Sequence, residues 1–223
     1  MKDKLATLAT AVLVLSALVV AGLVARMELR PDGRPLPAQG TMVANWRDVL
    51  GEPPGEARDE VLLAVFADYT CTFCRDTEAA LDSLQAASGR RVRIRQVHFP
   101  LRPDGVGFRA AVAAECAKLQ GAGPAYHRLL YRHQAALGTL PWDSLAVLAG
   151  VPRPDAFRAC LGDARAADAV RRDRRRGEAV GVALTPTLLV DGRMYLGAAG
   201  YAELARRVER PAGPAPSSAS ANR

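Results

Sequence analysis

Aromatic side chains are scarce, at 5% of the 223 residues, while hydrophobic residues reach 49%. That balance argues for an aliphatic, helix-rich α/β interior rather than an all-β sandwich. Lysine is nearly missing. Only Lys2, Lys4 and Lys118 occur, so the net charge of +7 is carried almost wholly by arginine. A pI near 9.7 invites a nucleic-acid reading. The arginines are spread along the chain, however, without the interleaved aromatics on which bases stack, and no nucleic-acid partner is expected. The densest run, Arg171, Arg172, Arg174, Arg175 and Arg176, is broken by Asp173 and followed by Glu178. It reads as the solvated face of a helix. Histidine is equally sparse. His98, His127 and His133 form no ligand-spaced pair with any cysteine, so neither a metal nor a cofactor is expected. No internal repeat is present, and the length suits one main domain.

Charge is absent from Leu5 to Ala25. As a helix, that run just matches a hydrocarbon core of about 30 Å. Two readings stand: a signal peptide cut near Ala21 or Ala25, or an uncleaved transmembrane anchor. The run is longer than the usual signal core and no clean A-x-A site follows, which favours the anchor. Residues 1–4 then form the cytoplasmic n-region. Lys2 and Lys4 precede the segment, but Arg26, Arg30 and Arg34 follow it, so Lys and Arg counts leave its orientation open.

Residues 26–60 are rich in Pro, Gly and charge and read as a linker, with one helical turn over Trp46 to Leu50. Residues 211–223 are Pro, Ala and Ser, the composition of a disordered tail. Between them, Val61 to Ala67 is an apolar run suited to a buried strand. From Cys71 the period becomes helical, and Gly89 is placed to end that helix. Val92 to Phe99 reads as a second strand. A helical block follows from about 105 to 180, broken near Gly121–Pro124, Gly138–Pro141, Gly150–Pro154 and Gly162. Thr187 to Val190 and Arg193 to Leu196 read as strands joined by Asp191-Gly192, a type I′ hairpin signal. Tyr201 to Arg210 closes as a helix. Strand, helix, strand implies a parallel crossover, and the hairpin adds an antiparallel edge. The expected class is α/β: a thioredoxin fold over 61–210 with an inserted helical domain.

Cys71-Thr72-Phe73-Cys74 falls where strand turns into helix. A thiol at a helix N-terminus faces unpaired N–H groups and the positive end of the dipole, which favour thiolate. Cys74, one turn further in, can shelter while Cys71 stays reactive. Reversible disulfide exchange needs that asymmetry. A structural zinc site would need a second close pair, which the separated Cys116 and Cys160 do not supply. An inert disulfide suits a helix start poorly. A second element is Thr185-Pro186, where a proline opens a strand. Its peptide bond is either cis or an ordinary trans bond.

The stretch from Phe66 to Arg75 (FADYTCTFCR) resembles the active-site segment of DsbA-like thiol–disulfide oxidoreductases. So does His98-Phe99-Pro100-Leu101 at the end of the next strand, and so does GVALTPTLLVDGRMYLG from Gly181 to Gly197. The resemblance spans about Val61 to Arg210. It implies that Cys71 attacks or is attacked, that Cys74 resolves, and that Thr72, Phe73 and Asp68 neighbour the redox site, Asp68 with a structural role. It also implies that Pro186 is a cis-proline facing the pair, with the Thr185 backbone pairing a substrate peptide. Some relatives carry a second disulfide in the insertion, which implies Cys116–Cys160; two buried free thiols are the alternative. Many relatives carry a buried acid on the strand before the first cysteine, where this chain has Val65.

The function expected is disulfide exchange on exported proteins bearing thiols or disulfides, with a membrane redox partner recycling the site. The location expected is the periplasm or cell envelope, anchored through residues 5–25, or secreted if that segment is cleaved. Thr72-Phe73 leaves the direction open, and oxidation is preferred. A reductase for one exported client and a non-redox peptide-binding module are the alternatives.

Overall fold

The computed structural model describes residues 12–22, 36–52, 60–88 and 91–209. The chain divides into two units, residues 1–37 and 38–223. In the first, residues 12–22 form helix α1, whose apolar side chains are exposed. The rest of the run from Leu5 to Ala25 lies outside the described residues. Among the described residues no helix is long and apolar enough to cross a membrane.

The second unit is an α/β domain of thioredoxin fold carrying an inserted helical domain. Its elements are β1 (Thr41–Met42), α2 (Trp46–Leu50), β2 (Val61–Ala67), α3 (Thr72–Ser88) and β3 (Val92–His98). Then come α4 (Val106–Lys118), α5 (Gly123–Arg132), a 3-10 turn (Gln134–Ala136), α6 (Trp142–Leu148), α7 (Pro154–Leu161) and α8 (Ala164–Val180). Strands β4 (Thr187–Val190) and β5 (Arg193–Leu196) and helix α9 (Tyr201–Glu209) complete it. The sheet order is β1-β5-β4-β2-β3, with β2 parallel to β3 and antiparallel to β4. Strand β2 lies inside the sheet between β4 and β3 and is apolar along its length, as a strand covered on both faces must be. The hairpin turns at Asp191 (φ 44°) and Gly192 (φ 87°), the two positive φ values that a type I′ turn requires. Gly89, placed to end α3, lies outside the described residues.

The linker expected over 26–60 is corrected for part of its length. Gly40 and Val43 bond the backbone of the β4–β5 hairpin, and β1 extends the sheet beyond β5. On α2, Trp46 and Leu50 are buried, and Trp46 lies against Gly192 so closely that a Cβ there would meet its Nε1 at 2.3 Å. Glu52 is buried too, paired with Arg93 and Arg95 of β3. The helical turn expected over Trp46 to Leu50 is α2; a two-residue strand is too short to register as periodicity, so composition read the rest as a tether.

The insertion packs its own core between α4 and the helices after it. Eight of the thirteen α4 residues are buried, six of them Ala or Gly, so neighbouring backbones approach closely. Cys116 on α4 and Cys160 on α7 form a disulfide across 44 residues, with Cα atoms 5.7 Å apart. Gly177 of α8 admits the Phe99 ring; a Cβ there would sit 2.5 Å from Cδ2. That contact seats the insertion on the sheet, beside the C-terminal end of β2 where the two cysteines lie.

Candidate active site

Strand β2 ends at Ala67, and α3 begins at Thr72. The intervening loop is held by Asp68, which is 3% exposed. Its carboxylate accepts from the backbone N–H and hydroxyl of Thr70 and from the N–H of Leu101, each at 2.8 Å. A buried carboxylate needs such partners, since an unpaired one would cost several kcal/mol. Gly107 stands over the same carboxylate; a Cβ there would lie 2.2 Å from Oδ1. The loop is clamped from the insertion as well. Gln134 Nε2 donates to the carbonyls of Tyr69 (2.8 Å) and Cys71 (2.9 Å).

Cys71 therefore sits immediately before the first residue of α3, half-buried, with Cys74 one turn on and 2% exposed. The two are free thiols. Opposite them the Thr185–Pro186 peptide bond is cis, and the Thr185 carbonyl accepts from the Cys71 thiol at 3.4 Å. The hydrogen bond that the Cys74 thiol donates to the Cys71 sulfur is the largest influence on Cys71. Burial opposes it, while the Thr185 side chain and the N–H groups of Cys74 and Phe73 add to it, and the Cys71 thiol falls from 9 to about 6. Cys74 moves the other way. Donating to Cys71, and buried, it is pushed far above the ordinary thiol range. One sulfur is thus a ready thiolate and the other a protonated reserve, the division that exchange through a mixed disulfide uses.

Of the residues singled out in the sequence, Asp68, Cys71, Thr72, Phe73, Cys74, Thr185 and Pro186 are brought together here. Thr72 and Phe73 are exposed at the helix start, Phe73 by 63%. Cys116 and Cys160 lie apart, in the insertion, bonded to each other. The motifs did not reveal the second layer. Gln134 comes from the 3-10 turn after α5, more than sixty residues downstream. His127 of α5 bonds the Tyr69 hydroxyl through Nδ1 and Glu78 through Nε2, each at 2.8 Å. The rings of Tyr69, His127 and Tyr131 stack within 5.0–5.4 Å of one another. His127 thus has a specific partner on each ring nitrogen. His98 lies 5.9 Å from the Tyr69 ring and bonds Glu115 at 3.1 Å. Nothing in the spacing of one sequence distinguishes these polar residues from helix surface. Their partners are remote in the chain.

Comparison with known proteins agrees with this geometry. The family model described as Thioredoxin matches residues 53–210. The thioredoxin-like oxidoreductase from Silicibacter pomeroyi DSS-3 superposes with a TM-score of 0.60 at 21% identity, covering 74% of this chain and 96% of that one. The thiol-disulfide exchange protein alpha-DsbA2 from Wolbachia pipientis gives 0.62 at 18% identity, covering 74% and 91%. Among curated sequences, the Na(+)/H(+) antiporter NhaA 1 of Mycolicibacterium gilvum is 30% identical over 149 residues, 66% of this chain and 24% of its own length. The chain thus spans about a quarter of the length of the curated relatives it matches. Sheet order, the Cys-x-x-Cys at the start of α3, the cis-proline and the helices inserted between β3 and β4 all agree with the family match, and the chain belongs to the thioredoxin family.

Proposed function

We propose that this protein is a thiol–disulfide oxidoreductase that exchanges disulfides with exported proteins, in the oxidising direction. The observation that carries the reading is the unequal pair: Cys71 lowered to about 6 and accessible, Cys74 raised and buried, both facing a cis-proline. A substrate thiolate attacks the Cys71 sulfur of the oxidised pair. The Cys71–Cys74 bond breaks, and Cys74 leaves and takes up a proton. A second substrate thiolate then attacks the substrate sulfur of the mixed disulfide and expels Cys71 as thiolate. The substrate is oxidised and the enzyme reduced by two electrons. A stabilised Cys71 thiolate favours the reduced enzyme, and therefore the oxidant role. Thr185 and Pro186 offer the backbone against which an extended substrate lies. Phe73 and Leu101, 63% and 48% exposed, add apolar surface beside the site. A membrane redox partner would accept the electrons and restore the disulfide.

The test is equilibration of the purified protein with defined glutathione ratios, reading the two thiols by mass spectrometry. A poise near about −120 mV is expected, whereas one near about −270 mV would make the protein a reductase. A pair that never exchanges would leave only the peptide-binding alternative. The antiporter name belongs to longer proteins, and no transport is carried over from it.

We also place the domain outside the cytoplasm, held by residues 5–25. The disulfide between Cys116 and Cys160 supports an oxidising compartment. A phosphatase reporter fused after Arg210 is expected to be active in intact cells. A fusion active only in the cytoplasm would refute the placement.

A further inference from the structure

Strand β3 is the outer strand of the sheet and pairs with β2 on one side only. Along a strand, the N–H and C=O groups of successive residues point alternately to one side and the other. Just past the end of β3, the Phe99 N–H bonds the Ala67 carbonyl of β2. The odd-numbered residues of β3 therefore face β2, and the even-numbered ones face outward. Side chains cap both ends of that outer edge. Gln85 of α3 donates to the Val92 carbonyl at 3.2 Å, and Asp173 of α8 accepts from the His98 N–H at 3.3 Å. Between these caps, the outward N–H and C=O groups of Ile94 and Gln96 have no partner among the described residues. A free edge of this kind is a template for a further strand.

The open stretch lies in a cleft. Ile94, Arg95, Gln96 and His98 line a cavity of about 730 Å³ whose remaining lining comes from α3 and from α4, α5 and α8. That is within the range of about 300–1,000 Å³ usual for ligand sites. Gln96 adds an unmet acceptor. Its Nε2 donates to Glu78, while its buried Oε1 has no partner. A buried amide oxygen without a donor is costly, and a ligand N–H entering the cavity would relieve it. The charges of the lining are also unbalanced. Lys118 is paired with Glu115, Arg176 with Asp173 and Arg95 with Glu52. Arg128 of α5 and Arg172 of α8 are exposed and have no ion pair among the described residues. Asp82 of α3 is the one carboxylate of the lining left to oppose them, since Glu78 is bonded to His127 and Gln96.

We propose that the β3 edge is a second binding site, at which an extended, acidic segment of a partner protein adds as a strand. Its backbone pairs with the free N–H and C=O groups of Ile94 and Gln96. Its alternate side chains face the two walls of the cleft, and its carboxylates meet Arg128 and Arg172. A second copy of this chain is the poorer occupant. Its net charge is +7, and Arg93 and Arg95 stand on the edge strand itself, so two such edges would set like charge against like. The lining includes neither Cys71 nor Cys74, so the site goes beyond the disulfide-exchange reading.

The experiment titrates a blocked, cysteine-free hexapeptide of alternating glutamate and threonine into the purified full-length protein at low salt. Heteronuclear NMR follows the Ile94 and Gln96 amides, and hydrogen exchange reports their protection. Saturable binding is expected, with exchange slowed at both amides and affinity falling as salt rises. Arg128→Ala/Arg172→Ala is expected to weaken binding about tenfold, the scale of two exposed ion pairs. Both side chains are exposed and neither belongs to the redox site, so that variant should exchange with glutathione at the wild-type rate. The same peptide with lysine for glutamate should not bind. No binding of the acidic peptide, or binding that leaves the Ile94 and Gln96 amides unchanged, would overturn the site. Equal binding of the lysine peptide would overturn the acidic class. Protection of both amides that grows with protein concentration in the absence of peptide would make a second copy the occupant and overturn the proposal as well. Because the probe carries no thiol, its binding is read whether or not the cysteine pair exchanges.

Discussion

Cys71→Ser is expected to abolish disulfide exchange, while Cys74→Ala is expected to accumulate mixed disulfides with glutathione and with substrates. The two outcomes differ because the sulfurs do different jobs. Cys71 is the half-buried thiolate at the start of α3, and nothing else in the site can form the first bond. Cys74 is the internal nucleophile that releases what Cys71 has caught. Iodoacetamide reports the same division. In the wild-type protein, alkylation of Cys71 should titrate around pH 6, following the lowered thiol. In Cys74→Ala the midpoint should rise, because the hydrogen bond from Cys74 is the largest cause of the lowering. Reactivity alone gains little. At pH 7 a thiol at about 6 is about 90% ionised against about 1% at 9, but a Brønsted slope of about 0.4–0.5 returns about 16–30-fold of that. The larger consequence is a better leaving group and a favoured reduced form. Since the folded value lies below the ordinary 9, the stabilisation of the reduced protein is full above about pH 9. It is lost as pH falls through about 6. The melting temperature of the reduced protein should therefore gain on that of the oxidised protein between those limits. Exchange persisting in Cys71→Ser would sink the mechanism.

The double variant Cys116→Ala/Cys160→Ala is expected to lose about 4 kcal/mol of stability, with exchange chemistry at the distant pair still detectable. The bond closes a loop spanning 44 residues of the insertion, and the chain-entropy model gives about that figure for such a loop. It ties α4, whose Cys116 is fully buried, to α7 at the edge of the same core. For a domain of this size the loss corresponds to a melting temperature lower by roughly 8–16 °C. Urea denaturation of both forms measures it. A cost under about 1 kcal/mol would show that the insertion's core holds without the cross-link.

How much of this was legible before folding differs element by element. Strand β2, the crossover to β3 and the β4–β5 hairpin were readable. Each is announced by a local signal: an apolar run, a change of period, or Asp-Gly between two apolar stretches. The Cys-x-x-Cys was readable for the same reason, since four consecutive residues carry both the chemistry and its position at a helix start. Strand β1 and the docking of helix α2 were not. Their order depends on Trp46 meeting Gly192 and Glu52 meeting Arg93 and Arg95, contacts made across long stretches of chain.

The cysteine spacing by itself determined that one sulfur would sit at the tip of α3 and its partner one turn inside, because helix geometry fixes that from residue order alone. Only the tertiary structure decided what surrounds them. It set the Thr185–Pro186 bond as cis, brought Gln134 onto the active-site loop, and put Glu78 between His127 and Gln96. These partners lie on separate elements that meet only when the insertion closes over the sheet. No local preference encodes such a meeting, because its driving force is burial of a shared core.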